Sequence, residues 1–476
     1  MIRWVDGVAG PRAQGVDRGM QDIKAVAPQV VQALQKWYGA DPYAQKFGLY
    51  SHHDPFMDVH WRNSKNLRQA GRNLVNSAVA LTAQRNRVQD TTTWWISANA
   101  ITAVIDYMLV TGDRSYLTSV VENTFTRAPG AHRPVKAHGL LAQPFFPPRG
   151  PFYTGFTNSY YDDEGWWALA WIDAYDLTGN VDYLTAAKNI FQDMAAAWDD
   201  QWGGGIYWSK YNGQPDRAGA GSVPHGWTGP YKNAIANALF IAVAAALGTR
   251  HLSRNPAGTD HGDYLDWALR GWKWFSSPHP DGVAMINEAN LVNDSPNNRG
   301  MNDNTESIWS YNQGVILSGL SDLTGLTGDG TYLSAAEKIA DTFIKAPVYV
   351  VPRSAKRPAS PPDQSGVIDG ILHEYNDCHA NGGPVSPGAE PGVGTTVFKG
   401  IFVRNLAKLH AKTRKASYGQ FILANTQSAL SHMNSAHQFG SNWAAPVDVA
   451  DFVRQASGLD LVNAALLVAK NDQAAR

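Results

Sequence analysis

The sequence predicts an all-α protein in which about six helical hairpins form a toroid, one ring of helices inside another. Two observations support this fold class. A short turn motif recurs between helical stretches, and the helices before and after it differ in how their apolar residues are distributed. An internal repeat of this kind outweighs local signals when a fold is predicted.

The repeated turn has the pattern Thr-Gly, then Asp or Asn, then Tyr-Leu three residues further on. It begins at Thr111, Thr178 and Thr327. The glycine can end one helix in the left-handed conformation, and the residue after it can cap the next helix. The interval between the second and third turns is about twice that between the first and second. Leu247-Gly248 lies within this longer interval as a degenerate copy of the turn. Each turn therefore joins the two helices of a hairpin.

The two helices of a hairpin have different apolar patterns. Residues 166–175 are apolar almost all round, which is typical of a buried helix. The helix after the second turn has a single apolar stripe at three- and four-residue spacing, as expected at a surface: Tyr183, Leu184, Ala187, Ile190, Phe191 and Met194. The first kind of helix is predicted to lie inside and the second outside.

Other helical stretches extend this series along the chain. Their ranges are 26–37, 67–82, 398–410, 418–433 and 449–470. The last of them can close the toroid with the N-terminal helix. We expect one domain overall, with residues 94–476 forming the barrel and residues 1–93 a helical segment and extension packed on it.

Charge and aromatic content limit the classes of partner that the protein can bind. The chain has 476 residues, a net charge of -1 and 17% charged residues, so no basic field for nucleic acid or an anionic membrane is expected. It contains Trp 17, Tyr 19 and Phe 16. Aromatic rings are suited to stacking on a neutral sugar, although a large core also uses them.

Cysteine content and hydropathy exclude some kinds of structure, although the single cysteine does not decide the compartment. Cys378 is the only cysteine, which excludes an intramolecular disulfide framework and a cysteine zinc site. No apolar run approaches the ~18 residues of a membrane span, and the first residues do not resemble a signal peptide. We expect a monomer that is cytoplasmic, or extracellular or periplasmic if a signal peptide has been removed.

One polar cluster could be considered as a metal site. It consists of His52, His53, Asp54 and His60, which are residue types that bind metals. Pro55 and the mixed spacing give no common helical face, so a polar loop is the better interpretation. No metal or other cofactor is expected.

An acidic group marks the start of the apolar stretch. Asp162, Asp163 and Glu164 stand among aromatic residues directly before it. Two carboxylates close together in a partly dry site push their pKa values apart, which supplies one acid and one base. The alternative is that they only favour a helix start.

The connections at the other end of the hairpins are long. They cover residues 120–159, 199–231, 278–308 and 346–397 and are rich in Gly, Pro, Asn and Trp. Because function on a rigid scaffold usually lies in such loops, the site is expected at this end, where the acidic group also lies.

Six segments occur in an order that resembles a known family: Tyr-Asp-Asp-Glu-Gly-Trp-Trp from Tyr161, Gly-Gly-Gly-Ile-Tyr-Trp from Gly203, Tyr-Lys-Asn-Ala-Ile-Ala-Asn from Tyr231, Asn-Leu-Val-Asn-Asp from Asn290, Tyr-Asn-Gln-Gly-Val-Ile-Leu from Tyr311 and Phe-Lys-Gly-Ile-Phe-Val-Arg-Asn-Leu from Phe398. Together they resemble glycoside hydrolase family 76, the endo-α-1,6-mannanases and related enzymes, between about residues 94 and 410. The resemblance implies an (α/α)6 barrel that acts on α-mannan or manno-oligosaccharides.

The same resemblance places Asp162 as the nucleophile and Asp163 as the acid/base of a retaining mechanism. Such a mechanism needs two carboxyl groups roughly 5 Å apart, whereas inversion needs a wider gap for water. Neighbouring residues at a helix start can be that close. Glu164 is the alternative acid.

The resemblance also suggests substrate contacts. Asp294 matches an aspartate that helps to hold the reacting sugar, with Ser295 in place of the usual glycine. Core packing is the alternative for the aromatic candidates, capping for the amides and charge balance for the lysine. The other candidates are Trp94, Trp95, Asn99, Tyr207, Trp208, Lys232, Asn233, Asn312 and Gln313.

Three other functions stay open from the sequence. The chain could transfer mannan to another acceptor, because transfer and hydrolysis share a covalent intermediate. It could be a non-catalytic carbohydrate-binding toroid, although a binding protein does not need two adjacent buried acids. It could also be another (α/α)6 sugar enzyme, such as an epimerase or an unsaturated-uronide hydrolase.

Overall fold

The computed structural model describes residues 11–51, 92–129, 155–158, 160–210, 231–254, 260–278, 284–295, 307–350, 363–377 and 393–474. The predicted helix at 67–82, the histidine cluster at 52–60 and Cys378 lie outside these residues. The described helices are α1 (Pro11–Gln35), α2 (Pro42–Phe47), α3 (Thr92–Thr111), α4 (Asn123–Arg127), α5 (Tyr161–Thr178), α6 (Val181–Ala196), α7 (Ala234–Arg254), α8 (Asp260–Ser276), α9 (Ser310–Thr327), α10 (Gly330–Phe343), α11 (Phe398–Thr413), α12 (Ala416–His432) and α13 (Phe452–Ala474).

Six of these helices form a closed inner ring. Helices α3, α5, α7, α9, α11 and α13 each pack on the next, and α13 packs back on α3. Glycines allow the inner helices to approach closely. A Cβ atom at Gly314 would lie 2.7 Å from the Cα of Phe402, and one at Gly400 would lie 2.7 Å from the Cα of Ser457. Larger residues at these two positions would push the ring apart.

The remaining long helices cover the ring from outside. Helix α6 packs on α5 and α7, α8 on α7, α10 on α9, and α12 on α11 and α13. A π-helix, Leu117–Glu122, continues into α4 and covers α3. Helix α1 packs on α13 and completes the outer layer. The double ring is an (α/α)6 barrel, which confirms the predicted fold class. The domain division at residue 93 stays a prediction.

The glycines of all three repeated turns have the predicted left-handed conformation, and the second and third turns also have the predicted cap, whereas no helix begins directly after Asp113. Gly112, Gly179 and Gly328 have φ values of 81°, 73° and 73°. Asn180 accepts the N–H of Asp182 at 3.0 Å, and Asp329 accepts that of Thr331 at 2.8 Å. The prediction of a degenerate turn at Leu247-Gly248 is wrong, because both residues lie within α7.

Strand structure in the described residues is confined to one hairpin. Strands β1 (Gly366–Ile368) and β2 (Ile371–His373) pair antiparallel, with Val367 opposite Leu372. The hairpin lies in the long connection before α11. Asn425 of α12 accepts the N–H of Leu372 at 2.8 Å, which attaches the hairpin to the outer ring.

Helix α13 is long and apolar enough to cross a membrane by length and composition. It is the last inner helix of the barrel, and 94% of its apolar stretch is buried inside the protein. Its composition is therefore that of a core helix, and the absence of a membrane span stays a prediction.

Candidate active site

The inner helices begin at the end of the barrel that carries the long connections. Helix α5 begins directly after Tyr160, whose backbone is extended. Tyr160 forms a β-bridge with Ser209, and the Tyr161 N–H donates to the carbonyl of Trp208 at 3.0 Å. These contacts bring the indole of Trp208 to the first turn of α5, where the acidic residues lie.

Asp162 has two differently placed carboxylate oxygens. Its Oδ2 accepts a hydrogen bond from the indole Nε1 of Trp208 at 2.9 Å. Its Oδ1 is buried and makes no hydrogen bond. Burial raises the pKa of Asp162 to about 7, the Trp208 hydrogen bond opposes the rise, and the negative charge of Asp294 adds to it. One oxygen is thus held in place while the other is available for chemistry.

Asp163 is held by a different partner. Its side chain is buried, and its Oδ2 accepts a hydrogen bond from Nδ2 of Asn158 at 2.6 Å. Asn158 lies in the short segment just before α5 and is itself buried. The two aspartates therefore share the first turn of α5 but have different donors. The donor to Asp163 precedes the helix in the sequence, and the donor to Asp162 follows it.

Glu164 points towards the outer layer. Its Oε1 lies 2.6 Å from Nζ of Lys210, which also lies 2.6 Å from Asp193 on α6. The same oxygen accepts the backbone N–H of Asn158 at 2.8 Å. Burial raises the pKa of Glu164, and Lys210 opposes that rise. Its Oε2 is buried and makes no hydrogen bond, as is also true of Oδ1 of Asp162. It is the ion pair of Oε1 with Lys210 that argues against Glu164 as the alternative acid.

A third carboxylate, Asp294, lies near Asp162. The hydroxyl of Tyr231 donates to Oδ2 of Asp294, and Nδ2 of Asn312 donates to Oδ1 at 3.1 Å. Burial raises the pKa of Asp294 to about 6, while both donors lower it. The Oδ1 of Asn312 and the Oγ of Ser295 are buried and make no hydrogen bond. Unsatisfied polar atoms of this kind are rare in protein interiors and call for an explanation such as a ligand.

Electrostatic effects tie these groups to one point at the mouth of the barrel. Burial, and then the charges of Asp294 and Asp162, raise the pKa of Tyr311 well above its usual value. Tyr311 is in the first turn of α9, Asp162 in that of α5, and Asp294 bonds through its carbonyl to the first N–H of α7 at 2.7 Å. Tyr311 and Asp162 thus lie in the first turns of two inner helices, and the backbone of Asp294 is attached to the start of a third.

Three predicted binding residues instead hold loops. Lys232 is fully buried and bonds to Asp199 at 2.6 Å and to the carbonyl of Gly204 at 2.7 Å. Gln313 bonds to both the N–H and the carbonyl of Val292, each at 2.7 Å. In addition, Asn233 accepts the N–H of Ala236 at 3.1 Å and caps α7. These contacts favour structural roles, which are charge balance for Lys232, capping for Asn233 and attachment of a loop for Gln313.

Three further candidates lie in the core. The Trp94 ring is 4.9 Å from that of Trp167 between ring centres. The Tyr207 hydroxyl donates to Gln201 at 2.6 Å. The Oδ1 of Asn99 accepts from Arg404 at 2.9 Å. Their burial and internal contacts favour packing over substrate contact.

Several half-buried aromatic rings lie around the mouth, and others lie elsewhere on the barrel. Trp95 and Trp208 were predicted, whereas Trp309, Tyr311 and Tyr375 were not. Trp309 lies 4.2 Å from Tyr375 between ring centres. Tyr311 opens one of the family-like segments, which was an available signal. Trp309 and Tyr375 stand in no recognisable pattern.

Two buried polar residues were also missed. Tyr231 begins a family-like segment and could have been selected on that basis. Asn158 lies in no motif. Within the described ranges, no group of three or more His, Cys, Asp or Glu side chains is arranged to hold a metal ion.

A barrel of six helical hairpins with buried carboxylates and half-buried rings at one end is the architecture of a carbohydrate-active enzyme. The family model described as glycosyl hydrolase family 76 matches residues 23–475. The chain belongs to this family.

Curated relatives share part of the sequence. The chain is 28% identical over 193 residues to mannan endo-1,6-alpha-mannosidase DCW1 of Candida albicans. This match covers 38% of the chain and 37% of that protein. It is 25% identical over 189 residues to mannan endo-1,6-alpha-mannosidase DFG5 of Saccharomyces cerevisiae, covering 37% and 36%. The match thus spans little more than a third of these relatives.

Solved structures share the fold. One is an inactive variant of the alpha-1,6-mannanase GH76A of Salegentibacter sp. HEL1_6 with alpha-1,6-mannotriose, in which two consecutive aspartates are changed to asparagine. It has a TM-score of 0.61 and 20% identity, and the match covers 94% of this chain and 99% of that one. Dfg5 from Chaetomium thermophilum in complex with glucosamine has a TM-score of 0.55 and 19% identity, covering 79% and 81%.

Proposed function

We propose that this chain hydrolyses α-1,6-mannosidic bonds within mannan and retains the configuration of the anomeric carbon. Asp162 is the nucleophile and Asp163 the acid/base. The observation that carries the proposal is the state of Asp162, which has one oxygen fixed by Trp208 and the other buried without a hydrogen bond. Family membership and the mannan-processing names of the relatives support the substrate class.

The first step is a displacement at the anomeric carbon. Asp163 gives its proton to the glycosidic oxygen as the bond from that oxygen to the sugar breaks. Oδ1 of Asp162 attacks the anomeric carbon and forms a covalent glycosyl-enzyme. The positive charge that develops on the sugar is stabilised by the nearby Asp162 and Asp294 carboxylates.

The second step reverses the roles of the acid/base. Asp163, now ionised, accepts a proton from water while the water oxygen attacks the anomeric carbon. The bond to Asp162 breaks and the carboxylate is restored. Because displacement occurs twice, the product keeps the α configuration.

The surrounding groups provide a binding surface for a neutral chain. The unpaired Asn312 Oδ1 and Ser295 Oγ are suited to sugar hydroxyls, since both lie beside Asp294 in a dry site. The half-buried rings of Trp95, Trp208 and Trp309 offer faces for neighbouring sugar units. Several rings at one mouth favour an internal segment of a polymer over a single sugar.

The test is incubation with linear α-1,6-mannan, followed by chromatography and by NMR of the first product formed. We expect a ladder of shorter oligosaccharides whose new reducing ends are initially α, and about 10⁴-fold less product from Asp162→Asn. Initial β product would indicate inversion. Longer products without new reducing ends would indicate transfer to a sugar acceptor, and unchanged mannan would contradict the proposal.

A further inference from the structure

We infer that Asn158 is a positioning residue for the acid/base Asp163, fixing the orientation of its carboxyl group and supporting its ionised form. This inference deepens the proposed function and rests on it. Asn158 stands outside every sequence motif that resembles the family. Its role follows from its contacts.

The side-chain amide of Asn158 has a single consistent orientation. Its Nδ2 donates to Oδ2 of Asp163 at 2.6 Å, and its Oδ1 accepts the backbone N–H of Tyr160 at 2.8 Å. Rotation of the amide by 180° would place oxygen against the carboxylate and nitrogen against an N–H. Because the side chain is completely buried, water cannot compensate for either loss.

The backbone of Asn158 is fixed as well. Its N–H donates to Oε1 of Glu164 at 2.8 Å. That carboxylate is paired with Lys210 at 2.6 Å, and Lys210 is paired with Asp193 on outer helix α6 at the same distance. A chain of charged and polar contacts thus runs from the outer ring to Asp163, and Asn158 is its last member.

This geometry acts on the protonation of Asp163. The amide of Asn158 donates to Oδ2 of Asp163 at 2.6 Å, and a donor to a carboxylate favours its ionised form, which is the form needed in the second step. Asn158 therefore fixes the orientation of the carboxyl group and supports the carboxylate that works as base.

The substitution Asn158→Asp tests this role. The new side chain keeps its size and its acceptor for the Tyr160 N–H but presents an oxygen to Asp163 in place of the donor. We expect the alkaline limb of the kcat/KM profile, which reports loss of the acid's proton, to move up by about one pH unit or more. Hydrolysis of α-1,6-mannotetraose should fall by roughly 10- to 100-fold.

The leaving group provides the second readout. An aryl mannoside with a strongly activated leaving group needs no proton in the first step, so its first step should slow by less than about threefold in the same variant. Asn180→Asp is the matched control, because Asn180 caps α6 at the turn end of the barrel. It should leave both the pH profile and the leaving-group dependence unchanged.

Folding is checked by thermal melts, and Asn158→Ser serves if Asn158→Asp does not fold. Serine is too short to reach Asp163 and should show the same selective loss on the unactivated substrate. Equal losses on both substrates with an unmoved alkaline limb would overturn the inference and leave Asn158 a structural residue. Asp163→Ala separates this failure from that of the proposed function, since Asp163 itself must show the leaving-group dependence if it is the acid.

Discussion

The two ends of the barrel are built from different kinds of contact. At the turn end, each cap is local: Asn180 bonds to Asp182, and Asp329 bonds to Thr331. At the mouth, the important bonds join distant residues, such as Trp208 to Asp162 and Tyr231 to Asp294. The turn end stabilises the fold through short-range contacts, whereas the mouth gathers buried acids that a stable fold does not require. Substitutions at the two ends should therefore have opposite effects on activity and stability.

The largest effect is expected for Asp294→Asn at the mouth. Removing the charge beside the developing cationic sugar should lower kcat/KM on α-1,6-mannotetraose by about 100-fold or more. We expect initial-rate kinetics to show this loss mainly in kcat.

The same variant should not lose stability above neutral pH. Burial raises the pKa of Asp294 to about 6 from 3.8, so the contribution of this carboxyl to stability falls as pH rises from about 4 to 6. Asparagine stays neutral. Urea unfolding at pH 8 should therefore have an equal or higher midpoint in the variant, and a clearly lower midpoint would show that Asp294 is needed for folding.

The turn end was largely predictable from the sequence. Glycine and the cap residue act within a few positions, so their roles could be assigned at Gly179 and Asn180 without knowledge of the fold. The alternation of inner and outer helices was predictable for the same reason, because helical periodicity is local.

The mouth was predictable only in part. Asp162 and Asp163 could be selected from the sequence because two adjacent acids among aromatic residues begin a segment that resembles the family, and their catalytic roles stay a prediction. Their donors were not all found, because Asn158 lies in an irregular segment with no periodicity. Lys232 and Gln313 carry the same polar groups as binding residues do, and only the folded chain shows that they bond to backbone atoms.

An intermediate effect is expected for Trp208→Phe. The indole N–H stabilises the ionised form of Asp162, whose pKa is about 7. Removing that donor should raise the pKa and move the acidic limb of kcat/KM up by about one pH unit. Activity at pH 6 should thus fall by roughly tenfold, with a smaller loss at pH 8.

The matched control for this prediction is Trp198→Phe. The Nε1 of Trp198 is buried and makes no hydrogen bond, so its replacement removes an indole without removing a donor to a carboxylate. The acidic limb of the kcat/KM profile of Trp198→Phe should stay at the wild-type pH. Equal shifts in both variants would mean that the effect comes from packing.

The smallest effect is expected for Asn180→Ala at the turn end. Loss of the cap should lower the free energy of unfolding by about 1 kcal/mol. The measurement is the urea midpoint, compared with kcat/KM in the same preparation. Activity should stay within about twofold, and a large loss of activity would show that the two ends are coupled.

The most direct test of the central claim is mass spectrometry of Asp163→Ala mixed with an aryl α-mannoside that has an activated leaving group. Without its base, the variant should complete the first step and stall, because water is not activated in the second. After acid quenching and proteolysis, the added mannosyl mass should lie on the peptide that contains Asp162. Mannosyl mass on Asp294, or turnover to β product without any adduct, would contradict Asp162 as the nucleophile of a retaining enzyme.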